Sequence, residues 1–227
     1  MVDHQFPRYS FLALFIALVA MILLPPFFGD NSGLIQRLVW ICNLLAGLWL
    51  VTQNHRLLLL GGVFALPAIL VDQSSLMAGP VMWTVGYFVI SMIFLLFILY
   101  FLFRVVIGAK RVSTDLIFAS LCVYLLLAVV WTYIYLLIDL VMPGAFSINP
   151  EITLDYSTVT REFMYYSVVT LTTLGYGDII PQNAIAKSWA AMEAIVGQLY
   201  LAVIVARLMG LYIANELVSD RSEDSQS

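Results

Sequence analysis

The sequence predicts an all-α, polytopic membrane protein, on three observations. Of its 227 residues, 63% are hydrophobic and 11% charged, against about 45–50% apolar and about 25% charged in soluble domains. The apolar residues gather into charge-poor blocks, most of them near the length of about 20 helical residues that a bilayer crossing needs. The formal net charge is only −4, too small to point to a polyanionic partner. A water-soluble enzyme, a secreted disulfide scaffold and a nucleic-acid binder are therefore disfavoured, and the expected medium is the lipid bilayer. Cys42 and Cys122 lie inside apolar blocks with no His, Asp or Glu at metal-ligand spacing beside them, and read as buried free thiols.

Six blocks are expected to form transmembrane helices: Phe11 to Phe28, Leu34 to Thr52, Leu57 to Val71, Pro80 to Phe103, Leu116 to Val141, and about Ala184 to Ala214. The first is longer than a signal-peptide core and runs into Pro25-Pro26 rather than a small-residue cleavage site, so it is expected to stay as a span. The third has a charge-free core of 15 residues containing Gly61, Gly62 and Pro67, which covers about 22 Å. A short bent span is the preferred reading there, with a re-entrant segment as the alternative. Six crossings place Arg8, Arg56, Arg104, Lys110, Arg111, Arg207 and Arg221 on one side, and only Arg37, Arg161 and Lys187 toward the other. Basic loops stay inside, so both termini are expected in the cytoplasm of a multi-pass protein of the cell membrane. After Ser219, residues Asp220, Glu223, Asp224 and several serines read as a short disordered tail, 219–227.

The stretch that carries chemistry runs from Tyr165 to Asp178, between the last two spans. Up to Thr172 it is amphipathic and only about a dozen residues long, too short to cross. Gly175 and Gly177 then flank Tyr176 and break the helix. A half-helix must turn back to its own side, and non-helical backbone at membrane depth is tolerated only where it is buried in protein or lines a watery path. Glycines can adopt backbone angles that turn successive carbonyls toward one axis, and such carbonyls can replace the water around a cation.

Thr173-Leu174-Gly175-Tyr176-Gly177 resembles the Thr-Val-Gly-Tyr-Gly signature of potassium-channel selectivity filters. The likeness extends through Tyr165-Tyr166, Ser167, Thr170 and Thr172 before it, and Asp178 and Pro181 after it. It covers a pore unit from about Leu116 to Ala214, and divides the chain into an N-terminal four-helix domain of unknown role, 1–112, and a pore domain, 113–218. The resemblance implies a potassium-selective channel, not an enzyme, that conducts passively through a homotetramer, with potassium ions in the filter and no organic cofactor. It implies potassium sites at the carbonyls of Thr173, Leu174, Gly175 and Tyr176, with the Thr173 hydroxyl forming the innermost. Gly177 and Asp178 would finish the outer mouth. Leu174 stands where Val is usual, and Tyr165-Tyr166 where Trp-Trp is common. The Tyr165 hydroxyl is expected to bond to Asp178, and that of Tyr166 to Tyr176. A less selective cation channel on the same scaffold, or a subunit of a potassium transporter, is the alternative.

Gly197 follows Asp178 by 19 residues, a spacing similar to that of the hinge glycine in the family's inner helices. A bend there and close helix packing are both compatible with it. Ala202 and Ala206 are small residues where inner helices could approach and form a gate. Glu193 is the only acid inside the last expected span. It either faces a water-filled cavity, or is hydrogen-bonded behind the filter, or is protonated. The span from Pro80 to Phe103 holds no Lys or Arg, so voltage sensing by a charged helix is not expected. No regulatory partner can be named from the sequence.

Overall fold

The computed structural model describes residues 10–24, 27, 38, 41–43, 45–47, 81–148 and 156–224. The described chain is almost entirely helical: α1 (Ser10–Leu23), α2 (Val81–Gly108), α3 (Thr114–Val141), α4 (Tyr156–Leu171) and α5 (Ala184–Asp224), with two-residue strands β1 (Phe146–Ser147) and β2 (Ile180–Pro181). Among the described residues three helices are long and apolar enough to cross a membrane: Val81–Gly108, Thr114–Val141 and the Ala184–Glu216 part of α5. These correspond to the fourth, fifth and sixth expected spans.

The other expected spans stand differently. α1 has 14 residues, about 21 Å of helix, and ends at Leu23 because Pro25 and Pro26 cannot continue it. Residues 41–43 and 45–47 of the second block are helical. The rest of that block, and the whole third block, lie outside the described residues. Two expectations are corrected. Cys42 is free but exposed, whereas Cys122 is buried as expected. α5 continues through 219–224, where a disordered tail was expected. After Gly210 there is neither Gly nor Pro to break it.

α3 is the hub of the described residues and packs against the other four described helices. Its start is fixed by Ser113, whose hydroxyl accepts from the Leu116 amide at 3.1 Å, with Asp115 in the first turn against the positive end of the helix. Of its most apolar window, 61% is buried, against 33% for α2 and 11% for α5. α5 therefore leaves most of its apolar surface open, including Met192, Ile195, Leu199 and Val203.

Beyond α3 the chain turns through Gly144, at φ 82°, into β1. β1 pairs antiparallel with β2, Phe146 opposite Pro181 and Ser147 opposite Ile180, and the Gln182 amide donates to the Ala145 carbonyl at 2.8 Å. This clasp holds the start of α5 beside the end of α3. The Asn183 side chain then caps α5 by accepting from the Ala186 amide at 2.8 Å.

Candidate functional site

α4 has 16 residues, about 24 Å, less than a hydrocarbon core of about 30 Å. Its last residue, Leu171, packs against Gly197, which lies 13 positions beyond Ala184, about 20 Å into α5. From that depth residues 172–179 return to β2 beside the end of α3. The half-helix is thus re-entrant, as the composition of its end predicts.

The end of α4 is built to hold the returning loop. A helix leaves its last four carbonyls without internal partners, and here each has one. The Val168 carbonyl accepts from the Thr172 amide at 3.1 Å, the Thr170 carbonyl from the Thr173 amide at 2.9 Å, and the Val169 carbonyl from the Leu174 amide at 2.9 Å and the Gly175 amide at 3.4 Å. The Leu171 carbonyl accepts from the Tyr124 hydroxyl of α3 at 3.2 Å. Tyr124 in turn stacks on Tyr200 of α5 with ring centroids 5.8 Å apart, and Tyr200 donates to the Ser120 carbonyl at 2.6 Å. All three helices are therefore joined at the bottom of the loop.

The sign of φ alternates along the loop. It is positive at Thr173 (59°), Gly175 (58°) and Gly177 (80°), and at neither Leu174 nor Tyr176. In an ordinary strand successive carbonyls point to opposite sides. Alternating left- and right-handed residues instead turn neighbouring amides to the same side, as the Leu174 and Gly175 amides both turn to Val169. Glycine takes positive φ without penalty; for Thr173 it is costly, and that residue is held by the hydrogen bond its amide donates to the Thr170 carbonyl and by the Gln198 side chain, which donates to its hydroxyl at 3.3 Å. Thr173, Leu174, Gly175, Tyr176 and Gly177 are all exposed in the single chain.

At the Asp178 end of the loop the expected bond is present: the Tyr165 hydroxyl donates to Asp178 Oδ2 at 2.5 Å, and the other carboxylate oxygen accepts from the Ile179 amide at 3.0 Å. The Tyr165 bond holds the Asp178 carboxyl below its usual range, partly opposed by desolvation. The same bond pushes the Tyr165 phenol up to about 12. The expected Tyr166–Tyr176 bond is not formed within one chain: the Tyr166 ring is buried against Tyr135 and Phe146, at centroid distances of 5.0 and 5.6 Å, while Tyr176 is 67% exposed.

Of the readings open for Glu193, the cavity-facing one is corrected and the hydrogen-bonded one holds. Glu193 is fully buried between α3, α4 and α5, where the Tyr135 hydroxyl donates to Oε2 and Ser167 Oγ lies 2.5 Å from Oε1. Helix phase decides this: α5 packs its Glu193 and Gly197 turns on α4, one turn apart. Gly197 is a site of close packing, since a Cβ there would overlap the Leu171 carbonyl oxygen and stand 3.0 Å from Leu171 Cδ1. Ala202 and Ala206 are exposed on α5, on either side of the buried Ile204. Sequence reasoning missed Gln198, Tyr124 and Tyr200. It also used Arg207 only for orientation, whereas its guanidinium caps the end of α2 by donating to the carbonyls of Val106 (3.3 Å), Ile107 and Ala109 (3.0 Å).

Two crossing helices with a re-entrant half-helix and a loop of alternating handedness between them define a membrane pore unit. Comparison with known proteins places the chain more closely. The family described as ion channel matches residues 114–213. Over 101 residues the chain is 30% identical to Protein LctB of Bacillus caldotenax, covering 44% of this chain and 75% of that protein. Over 86 residues it is 28% identical to Two pore potassium channel a of Oryza sativa subsp. japonica, covering 38% of this chain but only 24% of the plant protein. No solved structure matches. The chain belongs to the potassium-channel pore family and is a membrane channel protein, not an enzyme.

Proposed function

We propose that this chain conducts potassium ions passively through a pore formed by four copies around one axis, with the Thr173–Gly177 loop as its selectivity filter. The carbonyls of Thr173, Leu174, Gly175 and Tyr176 and the Thr173 hydroxyl would line the path as substitutes for a dehydrated ion's water. The observation that carries this reading is the alternating sign of φ from Thr173 to Gly177, with both the Leu174 and the Gly175 amide turned back to Val169. Amides turned toward α4 leave the opposite side of the loop to carbonyls. The open apolar face of α5, with 11% of its window buried, supports assembly, because small and apolar residues there, Ala202 and Ala206 among them, suit contact between inner helices. α2 carries a single basic residue, Arg104, which supports gating by something other than a charged sensor helix. The pore domain would be 113–218, after an N-terminal membrane domain, 1–112, whose role is unknown, and the protein would sit in the cell membrane with both termini in the cytoplasm, as the distribution of basic residues favours.

The test is reconstitution of the purified chain into liposomes, with rubidium uptake measured under an opposing potassium gradient and barium as blocker. Barium-sensitive uptake that discriminates strongly against sodium, from a particle with the mass of four chains, is the expected result. Uptake of sodium and rubidium at similar rates would favour a less selective cation channel, and uptake that requires a proton gradient would favour a transporter.

A further inference from the structure

Behind α4 the hydrogens can be counted. Ser167 Oγ lies 2.8 Å from the Ala128 carbonyl oxygen of α3 and 2.5 Å from Glu193 Oε1 of α5. The Tyr135 hydroxyl makes a third contact, to Glu193 Oε2. Each of these three oxygen–oxygen contacts needs a hydrogen between its atoms. Ser167 and Tyr135 bring one each, and a backbone carbonyl brings none. The third hydrogen therefore belongs to the Glu193 carboxyl. Burial argues the same way. Glu193 and Ser167 are both fully buried, and among the described residues no Lys, Arg or His bears on Glu193; the groups that do are Ser167, Tyr135 and, at longer range, Tyr124 and Tyr166. An ionised carboxylate there would lie at membrane depth without a counter-charge, among the costliest arrangements a side chain can have.

We infer that Glu193 is a neutral carboxylic acid that donates to Ser167 and accepts from Tyr135, so that one proton links the inner helix to the half-helix carrying the loop. Glu193 is a positioning residue. It touches no ion, and sets where α4 stands by closing a chain of hydrogen bonds from Tyr135 through Glu193 and Ser167 to Ala128. The placement of Val169, two residues beyond Ser167, follows from this chain, and Val169 holds the loop's amides. The functional consequence rests on the proposed conduction; the protonation state does not.

The two are tested separately. In infrared difference spectra of the full chain at neutral pH, wild type against Glu193→Gln, a protonated-carboxyl stretch that shifts in heavy water belongs to the wild type and is missing from the variant. If no such band is lost, the inference is overturned, whether or not the protein conducts. In rubidium uptake, Glu193→Gln should stay within about twofold of wild type, because an amide also donates once and accepts once in these directions. Glu193→Leu, which can do neither, should lose about tenfold or more. Glu193→Gln falling as far as Glu193→Leu would show that an ionised carboxylate is needed, and would also overturn the inference. Should Glu193→Leu fail to fold, the wild type and Glu193→Gln still decide both measurements. A wild type without barium-sensitive uptake would sink the conduction proposal alone, leaving the spectra to decide the proton.

Discussion

The two sides of α4 are built on opposite terms. Behind it, Ser167, Glu193, Phe163 and Tyr135 are all buried to within 1%, and α3, α4 and α5 are joined by hydrogen bonds and ring contacts. In front of it, every residue from Thr172 to Asp178 is exposed. The loop's backbone is nevertheless defined, with three positive φ values in alternation. Its shape is thus imposed from the rear by a single chain, while its front is left for other copies and the ion under the proposed assembly. This division of labour explains why a short, exposed, glycine-bearing segment can be specific. The four carbonyls at the end of α4 and the contacts beneath them act as its template.

Substitutions behind the loop should therefore cost more than those in front of it, and the largest effect is expected at Gly197. In Gly197→Ala the added Cβ meets the Leu171 backbone, which cannot give way as a flexible side chain would. Overpacking of this kind costs about 1–3 kcal/mol, so a lower melting temperature in detergent and about tenfold less rubidium uptake are expected. Gly210→Ala is the control, because nothing lies within 4 Å of a Cβ there; its stability should stay the same or rise by up to about 1 kcal/mol. Equal effects at both glycines would mean that helix flexibility, not packing on Leu171, is what Gly197 provides.

A smaller effect is expected at the outer end. The Asp178 carboxyl is held below its usual range chiefly by the Tyr165 hydroxyl. Such a group contributes stability above the ordinary carboxylate range, and loses it as pH falls through the lowered folded value. Tyr165→Phe removes the donor, so inhibition of uptake by external acid should begin at higher pH than in the wild type, and single-channel open times should shorten by about threefold. An unchanged acid profile and unchanged open times would show that the bond does not steady the outer mouth.

The smallest effect is expected at the inner end of the loop, where Gln198 donates to the Thr173 hydroxyl. A donor aimed at that oxygen competes with a cation for its lone pairs. Gln198→Met should tighten barium block by about twofold. Block that is unchanged or weaker would show that Gln198 does not temper the innermost site.

Much of this could be read from residues alone. The fourth, fifth and sixth spans were legible because each is a long apolar run with few charges: none in the fourth, Asp139 alone in the fifth, and Lys187, Glu193 and Arg207 in the sixth. The half-helix was legible because Gly175 and Gly177 follow a segment too short to cross. The Tyr165–Asp178 contact was expected from the motif around the loop. What the sequence left open were helix faces. α5 is apolar nearly all round, so periodicity carries no information about its rotation, and Glu193 could be assigned to a cavity or to the protein interior with equal logic. Gln198, Tyr124 and Tyr200 were invisible for the same reason: each earns its role from a partner 25, 47 or 80 positions away. Length misled in one place, since α5 runs past Ala214 to Asp224 once no breaker stops it.

Arg207 gives the region ahead of the pore unit a mechanical connection to it. Its guanidinium is moored to three carbonyls where α2 ends and the chain turns toward α3, and charge-assisted bonds of this kind are among the stronger polar contacts a protein makes. A pull, a tilt or a bound lipid that displaces Gly108 must either drag the far half of α5 along or snap that mooring.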